Sequence, residues 1–230
     1  MTCCDAKPPT VTDQDGNIIP TVNIGSQCWM GENLRVTTYN DGSPIPFASD
    51  VASWLASSNT GAPAYSWVLD DPTTATTLGA VYNWYAVNPI DNGGKNVCPV
   101  GWHLPTAADI AQLLQTLDPN SSTNSSLIAG GILKATGDNT AGTGPWAAPN
   151  TGATDDFGFT AIPSIRRNTG GSWFGGTAQF RLNLWTGFST LAIPNVGDTM
   201  EIEYDNAEVT SPIFSGGNGL ACRLFSHDIG

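Results

Sequence analysis

The sequence predicts an α+β domain, and three observations carry that prediction. An amphipathic helix with a clear start signal lies mid-chain, a weaker helical stretch follows it, and short alternating or apolar runs broken by turn residues lie towards both ends. Helices in the middle and strands at both termini predict that the terminal strands meet. At 230 residues the chain is sized for one large domain, which divides into an N-terminal arm or docking segment, 1–20, and a folded domain, 21–230.

Residues 1–20 are rich in Pro, Asp and Gly, with a turn at Asp15-Gly16, and the first dozen read as a tail that orders on assembly. Residues 21–29 alternate and read as a hairpin closed at Gly25-Ser26. The stretch 40–78 reads as loops, with turns at 40–44 and 57–61. An apolar, aromatic run at 79–87 is a core strand or a short helix, and periodicity leaves both open. Thr106 begins the best helix, with Asp109 three positions on as a carboxylate capping box. Its stripe is Ile110, Leu113, Leu114 and Leu117, and Asp118-Pro119 ends it. A second helix over 126–135 is weakened by Gly130-Gly131, each costing about 1 kcal/mol relative to Ala. Beyond Phe157 the signals are strands and turns. The run 200–204 puts Met200, Ile202 and Tyr204 on one face and Glu201 and Glu203 on the other, and 220–225 is the last strand.

Composition excludes several partners. Twenty acidic residues against eight basic ones give a net charge of −12, which repels a nucleic-acid backbone and disfavours an anionic membrane surface. No run approaches the ~18 apolar residues of a membrane span. Charged residues are only 12% of the chain, so Ser, Thr, Asn and Gly must cover the surface, as in many secreted and viral surface proteins. The first ten residues carry no apolar leader, which favours a protein that reaches the exterior in a virion over one exported by a removed signal. The cysteines, Cys3, Cys4, Cys28, Cys98 and Cys222, are odd in number and lack C-x-x-C spacing, against a zinc or thioredoxin-type site.

Several segments occur in a telling order: IGSQCWMGENLR at 24–35, GAVYNWYAV at 79–87, CPVGWHLPT at 98–106, Leu133-Lys134, FGFTAIP at 157–163 and GLACR at 219–223. In this order they resemble the Fibrobacter succinogenes major paralogous domain, a family similar to C-type-lectin-like folds and widespread in surface proteins of Bacteroidota. The resemblance covers nearly the whole chain. It implies a C-type-lectin-like domain with short twisted antiparallel sheets, two helices and long loops. It also implies that Cys98 lies beside Cys222, as a disulfide worth about 2–4 kcal/mol or, in a reducing compartment, as a pair of core thiols. Two departures stand out. Cys28 replaces the family's usual Thr, and Trp185-Thr186-Gly187-Phe188 replaces a Trp-Ser-Ser-Thr run.

No active site is readable. His103 is expected to tie a loop to the helix start, with no nucleophile to partner it, and His227 is expected in solvent. Glu201 and Glu203 have the spacing of a glycosidase pair, but a solvated acidic strand has it too, as do the runs Asp70-Asp71 and Asp155-Asp156. A relative of the lectin-like oxidases that modify sulfatases would need a reactive cysteine pair. A weak calcium set is offered by Asn150, Asp155 and Asp156, and no other cofactor is expected. Trp29, Trp84 and Trp102 belong to the core. Trp54, Trp67, Trp173 and Phe174, in Gly/Ser-rich surroundings, are the candidate ligand-binding aromatics, with Arg166, Arg167 and Arg181 as carboxylate partners.

The expectation is a non-catalytic binding or structural protein on a virion surface: a fibre, decoration or host-attachment protein of a phage infecting Bacteroidota. Its partners would be other virion proteins or a host-surface polymer, and it would be a homo-oligomer. The alternative is a secreted or surface-anchored bacterial module recognising glycan or protein.

Overall fold

The computed structural model of the chain describes residues 9–174, 179–187 and 195–226. Strands β1 (Thr10–Thr12), β2 (Ile18–Ile24) and β3 (Gln27–Met30) come first, followed by helix α1 (Val51–Thr60), β4 (Tyr65–Trp67), two single 3-10 turns and α2 (Ala75–Leu78). Then come β5 (Ala80–Asn83), α3 (Trp84–Val87), α4 (Ala107–Leu117) and α5 (Ala129–Leu133). The last third is β6 (Arg166–Arg167), β7 (Trp173–Phe174), β8 (Arg181–Trp185), β9 (Val196–Glu203), β10 (Val209–Thr210), β11 (Ile213–Ser215), β12 (Gly219–Leu220) and β13 (Phe225–Ser226). Short curled sheets with a few short helices make an α+β fold.

Three sheets organise it. The first runs β1-β2-β3-β13 and joins the chain's two ends, with Phe225 opposite Trp29 and Ser226 opposite Cys28. The second is built on β9, which pairs with β8 from Thr199 to Glu203 and also with β10 and β11. The third runs β4-β5-β12-β6-β7. Trp29 fixes the core between the first two sheets, its ring 5.1 Å from Phe225 and 5.7 Å from Phe159.

The predicted elements fare unevenly. The hairpin closes at Gly25-Ser26, with Ile24 opposite Gln27. Thr106 caps α4 reciprocally with Asp109, and Ile110, Leu113, Leu114 and Leu117 are buried. The run at 79–87 is both things at once, β5 passing into α3, where the Asn83 side chain accepts from the Ala86 amide at 3.0 Å. The terminal strands meet as expected.

Four readings are corrected. The loops expected over 40–78 contain α1 and β4; α1 buries only Trp54, but the Asp50 side chain caps it through the Ser53 amide (2.7 Å) and Gly61 closes it in a left-handed conformation (φ 67°). The helix expected over 126–135 shrinks to α5, because Gly130 and Gly131 press on the backbone of Glu208 and Gly152, too closely for any side chain. The final strand is split into β12 and β13. The boundary at residue 20 does not mark an arm. Thr10, Val11 and Thr12 pair with β2, Ile19 is fully buried, and the Gln14 side chain donates to the Thr38 and Val97 carbonyls at 2.8 and 3.0 Å. The start of that segment, with Cys3 and Cys4, lies outside the described residues, as do Phe188 and His227. Among the described residues, no helix is long and apolar enough to cross a membrane.

Candidate functional site

The residues singled out as ligand-binding separate into structural groups. Arg167 is fully buried and its Nη1 donates to Asp70 Oδ1 at 2.7 Å, Ser66 Oγ at 2.7 Å and the Ala48 carbonyl at 3.2 Å. Its guanidinium lies 5.0 Å from the ring centres of both Trp54 and Trp173, and Trp173 Nε1 donates to Asp70 Oδ2 at 3.0 Å. Burial lowers the Arg167 pKa and Asp70 opposes that shift. Trp54 is itself fully buried, donating to the Gly217 carbonyl at 3.0 Å. Trp54 and Arg167 therefore hold α1 and β6 together and present nothing to a ligand, which corrects their assignment. The sequence showed an aromatic and a cation in polar surroundings and could not show that they faced each other.

The others are nearer the surface. Trp67 is half-buried, edge-on to Tyr65 at 5.4 Å. Arg166 lies between Phe174 (4.5 Å) and Phe214 (4.4 Å), and burial lowers its pKa. Arg181 pairs with Glu203 at 2.7 Å and Glu201 at 3.9 Å, and Asn183 donates to Glu201 at 2.7 Å. Those two glutamates do face away from Met200 and Ile202 as the alternation predicts, but they serve the β8–β9 pair.

The residues offered for calcium point to different tasks. Asp155 accepts from the Thr160 amide (2.7 Å) and hydroxyl (2.9 Å). Asn150 donates inward to the Ala135 and Gly137 carbonyls at 2.9 and 2.6 Å, and Asp156 is exposed. Among the described residues no three His, Cys, Asp or Glu side chains are grouped to hold a metal ion.

Two cavities flank the start of α4. The larger, about 430 Å³, has Ala107, Ala108 and Ala111 of α4 on one wall and Thr186, Asp198, Thr199 and Ser211 across from them, with Thr123 and Asn124 also lining it. Its frame is tied across: Ser211 Oγ donates to the Asn124 carbonyl at 2.7 Å, Thr199 Oγ1 to that of Pro212 at 2.6 Å, and the Thr186 amide to that of Asp198 at 2.9 Å. Small methyl groups facing hydroxyls, an amide and one carboxylate make a groove suited to a ligand with both apolar faces and hydroxyl groups. Sequence reasoning missed it. The available signal was the Ala-rich outer face of α4, where an ordinary solvent face would carry Lys or Glu.

The second cavity, about 290 Å³, is lined by Trp84, Val87 and Leu104 together with Cys98 and His103. It thus brings a cysteine and a histidine to one space, which the sequence reading did not foresee. His103 Nε2 lies 3.3 Å from Asp109 Oδ2, the oxygen that also accepts from the Thr106 amide and hydroxyl at 2.7 Å each. Burial pushes the Cys98 thiol up to about 12 and that of Cys222 upward as well, the nearby Cys98 adding to the second shift. Both are buried as free thiols in one core cluster. A nucleophilic cysteine needs the opposite shift. Cys28 is disulfide-bonded.

Fold and cavities together define an α+β domain of short curled sheets with a surface groove beside its main helix. The chain belongs to the Fibrobacter succinogenes major domain family, whose model matches residues 22–193. Comparison with curated proteins and with solved structures returns no match.

Proposed function

We propose that this is a non-catalytic binding protein of C-type-lectin-like architecture, displayed on a virion surface, whose groove between α4 and the β9 sheet takes a neutral, hydroxyl-rich ligand such as a host-surface glycan. The groove itself is the observation that carries the reading: hydroxyls, an amide and the Asp198 carboxylate beside alanine methyls match the hydroxyl and apolar faces of a sugar. The raised pKa of Cys98 supports binding over thiol chemistry in the neighbouring cavity. The pairing of the terminal strands is in keeping with a lectin-like domain. A surface with few charges and abundant Thr, Asn and Gly is in keeping with a virion or cell exterior.

The test is calorimetric titration of the full chain with neutral polysaccharide from the host envelope. Ala108 is exposed on the groove wall, so Ala108→Trp should fill the groove, keep the fold and abolish binding. Unchanged binding in that variant, or turnover of the ligand, would refute the reading. Mass spectrometry of purified particles checks the placement: absence of the chain from virions, with presence on bacterial cells, moves it to the alternative of a bacterial surface module.

A further inference from the structure

A third cavity, about 180 Å³, opens elsewhere, and Arg223 forms part of its wall together with the Glu32–Arg35 pair, Asn33, Thr76, Thr77 and Thr160. Arg223 differs from the other fully buried arginine. Arg167 meets the carboxylate of Asp70, whereas the hydrogen-bond partners of Arg223 are neutral: the Phe159 carbonyl, Asn33 Oδ1 at 3.0 Å and the Thr160 carbonyl at 3.4 Å. The guanidinium also stacks on the Phe159 ring at 4.4 Å, and its Nε has no hydrogen-bond partner. The carboxylates that act on it at longer range are both committed, Asp155 to Thr160 and Glu32 to Arg35 at 2.6 Å.

A buried charge without a contacting counter-ion is costly, and buried cations are ordinarily paired. A buried donor left without a partner points the same way. From these observations we propose that the cavity beside Arg223 binds a small monocarboxylate, of acetate or propionate size, as the counter-ion that the guanidinium lacks. The Thr160 and Thr77 hydroxyls donate to Asp155 and to the Thr74 carbonyl, so Thr76 on the cavity wall is the threonine placed to add a hydroxyl donor beside the guanidinium. Burial draws the Arg223 pKa down to about 9 against the pull of Asp155 and Glu32, in accord with a cation short of compensation.

The experiment titrates the full chain with sodium acetate at constant ionic strength, using chloride as the balancing anion and acetamide as the neutral control. Tm and the Arg223 Nε–H resonance are followed. Acetate should raise Tm saturably and shift that resonance, and acetamide should do neither. Thr77 is exposed, so Thr77→Trp should block the cavity, keep the starting Tm and lose the response. Arg223→Met should lose it too; should that variant fail to fold, Thr77→Trp decides. No saturable response, an equal response to acetamide, or an undiminished response in Thr77→Trp would overturn the proposal.

Discussion

Asp70 illustrates how single residues carry this fold. Its carboxylate receives both the buried Arg167 guanidinium and the Trp173 indole, so its removal would leave a buried charge unmatched. Breaking such a pair costs about 3–5 kcal/mol, and because Asp70 keeps some solvent contact we place Asp70→Ala near the lower end, at about 3 kcal/mol. Urea unfolding checks this, and a loss below about 0.5 kcal/mol, as at an ordinary surface site, would contradict it. The core thiols give a pH prediction. Below the usual thiol value of 9.0, Cys98 is neutral in both folded and unfolded chains and adds no pH dependence. Between that value and about 12 the unfolded chain ionises at Cys98 and the folded one does not, so stability should fall as pH rises through this range, and Cys222, raised in the same direction, should add to the fall. Replacing both Cys98 and Cys222 by Ala should flatten that part of the stability profile. In the same range iodoacetamide should label both thiols only after unfolding, and fast native labelling of Cys98 would revive thiol chemistry in its cavity.

Helix α4 shows what an element needs to be legible. Its start is written in two side chains three residues apart, and its buried face in four apolar positions at helical spacing, so local sequence suffices. Thr106→Ala should cost about 1 kcal/mol, read as a drop in the urea midpoint, and it should remove the hydroxyl, but not the amide, donor from the Asp109 oxygen that His103 approaches. Helix α1 was missed because Trp54 is its one buried side chain; with no stripe to read, only the cap at Asp50 marked it, and that cap lay in a stretch dense with turn residues. The same limit explains the site. Trp54, Arg167 and Trp173 stand out as unusual, but the meeting of Trp54 with Arg167, and of Trp173 with Asp70, joins residues more than a hundred apart, which periodicity does not encode. The groove was hidden for a further reason: alanines and threonines carry little individual signal, and only their opposition across a gap gives them a role.

At the scale of the whole molecule, the last eight described residues close two sheets at once. β12 lies between β5 and β6 and so joins the two halves of the third sheet, while β13 adds the final strand to the first. His103 and Phe225 exchange backbone hydrogen bonds at 3.0 Å each, which ties that closure to the segment leading into α4. The chain's long-range order therefore depends on its end, and loop-closure entropy over most of its length must be met before these contacts form. Phe225→Ala should cost about 3–5 kcal/mol, because its ring is fully buried against Trp29 and its loss leaves a cavity between sheets. Truncation after Asn218 should do more: β5 and β6 lose their common neighbour, Asn33 and Phe159 lose the Arg223 guanidinium as donor, and Leu184 of β8 loses its bridge to Ala221. The truncated chain should melt without a cooperative transition by circular dichroism and show amide exchange near the unfolded limit throughout β3, β5 and β8. A truncated chain with a sharp melt and protected β5 amides would mean that the terminal strands decorate a core that already stands without them.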